Sequence, residues 1–207
     1  MRENPVLIEG PVGALEALHL PVADARGIAL ICHPNPSQGG TMLNKVVSTL
    51  QRTARDNGLS TLRFNYRGAG KSAGEHDMNN GEVDDAQAAL AWLQEQHPDL
   101  PIYLLGFSFG GFVAGSLSGR IEQAGVAVQQ LYLVAPAVMR LDAEHTLARD
   151  CQLTVIQPED DEVIAPELVY QWSAALTQPH ELLKVAECGH FFHGRLPELK
   201  QLVAERL

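Results

Sequence analysis

Short apolar runs alternate with longer amphipathic stretches along this chain. Apolar runs of about four to eight residues between turn residues read as strands, and longer stretches with a three-to-four-residue repeat read as helices. Residues 5–9 and 14–20 form an opening pair of strands around the turn Gly10-Pro11-Val12-Gly13. In the second, Leu15, Ala17 and His19 alternate with Glu16, Leu18 and Leu20. Strands at 27–32, 60–66, 102–107, 130–135, 153–157 and 181–186 then interleave with helices at 42–57, 82–96, 109–121, 143–149, 166–176 and 197–206. Gly58 closes the first helix, His97-Pro98 stops the second, and Pro166 sits in the first turn of the fifth. Such alternation predicts an α/β fold: about eight strands in a mostly parallel sheet, with helices on both faces. No linker, repeat or low-complexity tract interrupts it, so residues 1–207 read as a single domain.

Composition narrows the partners. A formal net charge of −10 repels phosphate backbones and anionic head groups, so neither nucleic acid nor a membrane surface is expected as partner. Cys32, Cys151 and Cys188 are widely spaced and odd in number, which predicts reduced thiols and a cytoplasmic protein. The residues after Met1 lack the apolar core of a signal peptide, and no window reaches membrane-spanning length. The chain is therefore expected to be mature and soluble. Its oligomeric state stays open.

Two GxSxG matches occur, Gly106-Phe107-Ser108-Phe109-Gly110 and Gly70-Lys71-Ser72-Ala73-Gly74. A nucleophilic serine needs a sharp strand-to-helix turn that exposes its hydroxyl. Ser108 follows the apolar run 102–107 and precedes a helix, whereas Ser72 leads into polar loop. Asn65 occupies the first glycine position of a phosphate-binding loop, so Gly70-Lys71-Ser72 is not one. Ser108 is the expected nucleophile and Ser72 a structural residue.

A serine hydroxyl needs a base, and the base needs an acid to orient it. In strand-turn-helix hydrolases these follow in the order serine, acid, histidine, each after a strand. The acid is one of the run Glu159-Asp160-Asp161-Glu162. The base is His190, which follows Gly189 directly after the last strand, rather than His193. Two histidines three apart without further ligand motifs do not make a metal site, and no cofactor is implied. The oxyanion of acyl transfer needs two N–H donors. One is Phe109, next to the nucleophile. The other comes from His33-Pro34-Asn35-Pro36-Ser37, where the prolines have no N–H and Asn35 is best placed.

His33-Pro34-Asn35-Pro36, Gly39-Gly40-Thr41-Met42, Arg63-Phe64-Asn65-Tyr66-Arg67-Gly68, Gly106-Phe107-Ser108-Phe109-Gly110-Gly111 and Gly189-His190-Phe191-Phe192 together resemble the small, lidless bacterial α/β-hydrolases, often described only as predicted hydrolases or serine esterases. The resemblance covers nearly the whole chain. It implies Asp161 as the acid, because Asp161-Glu162-Val163-Ile164 is similar to the family's Asp-x-Val-Val stretch, although Gln157-Pro158 stands where many relatives have a glycine turn. It implies hydrolysis of a small-molecule ester through an acyl-enzyme on Ser108, Asp161 and His190. Acyl transfer, thioester hydrolysis and a binding protein with a vestigial site are the alternatives. Arg67 is expected to hold Asp84 or Asp85, and Cys188 to be a packed thiol. Residues 136–152 leave no room for a cap domain, so the site is expected to be open, lined by Met42, Phe107, Phe109 or Phe191 according to the face each presents.

Overall fold

The computed structural model describes residues 2–78, 80–141 and 147–207. Its strands are β1 (Asn4–Gly10), β2 (Gly13–Leu20), β3 (Gly27–Cys32), β4 (Leu59–Phe64), β5 (Ile102–Phe107), β6 (Gln130–Val134), β7 (Gln152–Pro158) and β8 (His180–Val185). They form one eight-stranded sheet in the order β1-β2-β4-β3-β5-β6-β7-β8. β1 and β2 pair antiparallel, as do β2 and β4, and the remaining pairs are parallel. The α-helices among the described residues are α1 (Lys45–Asp56), α2 (Gly81–Gln96), α3 (Phe109–Gln123), α4 (Pro166–Ala175) and α5 (Leu196–Ala204).

β3, β4, β5 and β6 are buried along their whole length, as a parallel sheet covered on both faces requires. Alternate residues feed two cores. Ile28, Leu30 and Leu104 join the side chains of α2, α3 and α4, while Ala29, Ile31 and Leu105 join those of α1 and α5. The chain leaves β3 for β4 on one side and later returns to β5 on the other. A crevice opens at the carboxyl ends of two strands that part in this way, and ligands of open α/β sheets bind there.

Several boundaries move for identifiable reasons. The helix expected from residue 42 begins at Lys45, because Asn44 caps it: its Oδ1 accepts from the N–H groups of Val46 (2.8 Å) and Val47 (3.4 Å). The strand expected to reach residue 66 ends at Phe64. The helix expected at 143–149 falls largely on residues 142–146, outside the described residues. Only residues 135–151 join β6 to β7, where a cap would be inserted. No helix among the described residues is long and apolar enough to cross a membrane.

Candidate active site

Ser108 stands between the last residue of β5 and the first of α3. Its backbone has φ 57° and ψ −119°, a left-handed conformation that a side chain adopts only under strain, of about 1–3 kcal/mol. The flanking glycines make the turn sterically feasible. A Cβ on Gly106 would strike the Gly110 backbone, and one on Gly110 would strike the Cys32 carbonyl at the end of β3. Ser108 N–H donates to the Val134 carbonyl (2.9 Å), which ties the turn to β6.

His190 follows β8 and is buried, with its Nε2 2.9 Å from Ser108 Oγ and its Nδ1 2.8 Å from Asp161 Oδ2. Asp161 Oδ1 accepts from the N–H groups of Val163 (2.9 Å) and Ile164 (2.7 Å). Burial pushes this carboxyl up, but the His190 hydrogen bond and these amides outweigh it and hold it below its ordinary value. An ionised carboxylate only accepts, so Nδ1 carries the imidazole proton and Nε2 is left to accept from the serine hydroxyl. Asp160 takes no part in this line; its backbone N–H donates to the Cys188 carbonyl (3.0 Å). His193 is exposed and stacks on Phe191.

Two positioning groups escaped the sequence reading. Glu162 Oε2 accepts from the His190 backbone N–H (3.0 Å). The buried Gln157 donates from Nε2 to Asp161 Oδ2 (3.1 Å). That amide atom also faces the carbonyls of Pro158 (3.1 Å) and Ile164 (3.5 Å). Three acceptors around one atom identify it as the nitrogen. The acidic run offered Glu162 only as one of four candidate acids, and an amide at a strand end carries no pattern of its own.

The loop after β3 is held from within. Tyr66 N–H donates to His33 Nε2 (3.2 Å), so Nδ1 bears the proton and donates to the Pro34 carbonyl (2.7 Å). Burial, opposed by that carbonyl and aided by His76, lowers the His33 pKa to about 3, so the ring stays neutral. Tyr66 Oη donates to the His33 carbonyl (3.1 Å). The Asn35 side chain turns to Ser37, accepting from its N–H (2.9 Å) and hydroxyl (2.8 Å). Phe109 opens α3, so its N–H has no acceptor within the helix.

A cleft of about 110 Å³ lies over Ser108, lined by Pro34, Asn35, Gln38, Gly39, Gly40, Asn44, Val163, His190 and Phe191. Met42 and Phe107, both expected to line it, do not. Met42 is buried, its N–H donating to Asn65 Oδ1 (2.9 Å) and its carbonyl accepting from Arg63 Nη1 (2.9 Å). Phe107 points into the α1–α5 core and lies under the His190 ring, centroid to centroid 5.0 Å. Phe109 packs its ring on Tyr66 and Phe112. Phe191 alone of the expected apolar residues reaches the cleft. A larger groove of about 1230 Å³ lies among the first residues of β5 to β8, including Ile102, Gln130, Gln152 and His180, at the opposite end of the sheet from Ser108.

Elsewhere the candidates are structural. Ser72 Oγ donates to the Asn65 carbonyl (2.7 Å) and accepts from Glu16 N–H (2.9 Å). Arg67 clasps Asp85, not Asp84, through Nε (3.0 Å) and Nη2 (2.8 Å). Cys188 is buried, and desolvation pushes its thiol up to about 11.

Residues 24–152 match the family model described as serine aminopeptidase, S33, a span that holds Asn35 and Ser108. A protein of Rickettsia prowazekii (strain Madrid E), described as uncharacterized, is 30% identical over 98% of this chain and 87% of its own length. A solved structure from Xanthomonas campestris, described as a serine hydrolase without lid, is 34% identical with a TM-score of 0.89, over 99% of this chain and 93% of that one. A serine hydrolase homologue from Coxiella burnetii is 36% identical with a TM-score of 0.89, over 100% of this chain and 98% of that one. Taken with the elbow at Ser108, these similarities show that the chain belongs to the α/β serine hydrolases, in the family described as serine aminopeptidase, S33.

Proposed function

We propose that this chain hydrolyses small carboxylic esters through an acyl-enzyme on Ser108. The observation that carries the reading is the continuous hydrogen-bonded line from Ser108 through His190 to Asp161, on a turn that opens into a small cleft. His190 takes the Ser108 proton as the oxygen attacks the ester carbonyl, and Asp161 stabilises the imidazolium that forms. The N–H groups of Asn35 and Phe109 receive the oxyanion. His190 then protonates the departing alcohol, and water releases the acyl group by the same steps in reverse.

The cleft supports an ester in preference to a peptide. Capture of a free amino terminus calls for a carboxylate near the acyl side, and the lining offers amides, glycines and apolar side chains. Its volume of about 110 Å³ is well below the roughly 300–1,000 Å³ of a drug-sized site, which favours short acyl groups. Three free thiols, Cys32, Cys151 and Cys188, suit a reducing compartment, and the cytoplasm is the proposed place of action.

A fluorophosphonate probe and a p-nitrophenyl ester series of rising acyl length test this. Wild type is expected to be labelled and to favour the shortest esters, and Ser108→Ala to lose both labelling and turnover while keeping its circular dichroism spectrum. Full turnover by Ser108→Ala would place the nucleophile elsewhere. A kcat/KM that climbs into long-chain esters would defeat the small-cleft reading.

A further inference from the structure

The walls of the cleft differ in chemistry. Val163 comes from the loop after β7, and His190 and Phe191 from the loop after β8, on the β6-β7-β8 side of Ser108 in the sheet. Phe191 is 40% exposed, meets the His190 ring edge to face at 5.0 Å, and stacks with His193. Gln38, Gly39, Gly40 and Asn44 come from the other side, the loop that runs from β3 through Asn35 into α1. Asn44 Oδ1 is committed to the N–H groups of Val46 and Val47, so the part of this amide left for another partner is its NH₂ donor.

The reaction assigns a direction to each wall. The tetrahedral carbon on Ser108 carries three further groups. The oxyanion points to the Asn35 and Phe109 N–H groups. The leaving oxygen must face His190 Nε2, which protonates it. The acyl substituent takes the remaining direction, toward Gln38 and Asn44. We infer that the site takes esters whose short acyl group carries a hydrogen-bond acceptor oxygen, as in a 2-hydroxy acid, and whose alcohol is apolar and planar, lying against Phe191.

This rests on the esterase reading, and its test separates the two. Phenyl 2-hydroxypropanoate, phenyl propanoate and ethyl 2-hydroxypropanoate are compared, each kcat/KM divided by the ester's own hydroxide rate constant. One added hydrogen bond at a half-open site is expected to favour the 2-hydroxypropanoate over the propanoate by about tenfold. The phenyl ester is likewise expected to exceed the ethyl ester. Asn44→Ser keeps a capping oxygen but removes the NH₂ donor, and Gln38→Leu removes the other polar side chain; either lowers the acyl ratio toward one. Phe191→Ala lowers the phenyl-to-ethyl ratio and leaves the acyl ratio in place. Cleavage of all three esters with the propanoate equal or preferred overturns the inference and leaves the esterase reading standing. Failure to cleave any of the three, with no probe labelling, overturns that reading itself and the inference with it.

Discussion

Asp161 Oδ2 receives two donors, the His190 Nδ1–H and the Gln157 amide, and the second draws charge away from the first. With Gln157→Leu, Asp161 Oδ2 accepts from His190 alone and stabilises the imidazolium more strongly. The acidic limb of the kcat/KM profile is then expected to move to higher pH. A limb that stays in place while thermal stability falls would reduce Gln157 to a space-filling residue. His190 and His193 provide the complementary contrast. Only the His190 ring bridges Ser108 and Asp161, so His190→Ala should lower kcat by orders of magnitude. His193 touches the site only through Phe191, and His193→Ala should cost less than about tenfold. Steady-state kinetics with purified variants decide the matter, and the reverse ranking would remove His190 from the mechanism. The places of Ser108 and His190 were legible because each follows a strand with glycine close by, Gly106 and Gly110 around the serine and Gly189 before the histidine. Asp161 was separable from Asp160 only through the family resemblance. Gln157 and Glu162 act through geometry that no spacing encodes.

The strand-helix units position these residues through their ends. β5 and α3 meet at Ser108, the end of β3 supplies the Asn35 loop, and the loops after β7 and β8 are joined by Glu159 N–H to the Val185 carbonyl (2.9 Å) and Asp160 N–H to the Cys188 carbonyl (3.0 Å). The order of these elements was readable from the alternation of apolar runs. Which face a strand residue takes was not, because a parallel sheet buries both faces and an apolar run has no polar side to orient it. That is why Phe107 was expected in the cleft and instead supports His190 from below. Met42 misled for a different reason. The apolar pattern extends through it, but the Asn44 cap starts α1 later. The loop after β4 is anchored to α2 by Arg67, whose three hydrogen bonds to Asp85, including its backbone N–H (2.8 Å), leave the carboxylate paired though fully buried. Arg67→Met strands that charge and is expected to cost about 3–5 kcal/mol. Asp84→Ala, one residue away, breaks only a surface pair with Arg120 and should cost under about 1 kcal/mol. Urea denaturation of the two variants checks the contrast, and equal losses would mean the Arg67–Asp85 pair is not what anchors the loop.

Across the molecule, burial lowers the pKa values of His33, His19 and His97, and this sets a direction for acid stability. His33 is lowered to about 3 by burial, against the Pro34 carbonyl. His19 is lowered to about 4, by burial first and then by His97, whose Nε2 lies 3.0 Å from its own. Unfolded, each titrates near about 6.5. Between those values the unfolded chain binds more protons than the folded one, so stability rises with pH and is lost as pH falls below about 6.5. The His19 share is fully lost by about pH 4, and the His33 share continues to about pH 3. Asp161, held below its ordinary value, loses its contribution only as pH falls through the carboxylate range, so it does not act near pH 6. Glu82, raised by burial and by Asp77, works in the opposite sense, its contribution fading as pH rises through its folded value. The melting temperature is therefore expected to fall by several degrees between pH 7 and pH 5. His19→Leu fills the same space against Trp92 without a titrating ring. It should flatten that slope while leaving the residual decline due to His33 and His97. Calorimetric scans of both proteins at matched ionic strength measure it, and an unchanged slope in His19→Leu would exclude this histidine as a source of acid sensitivity.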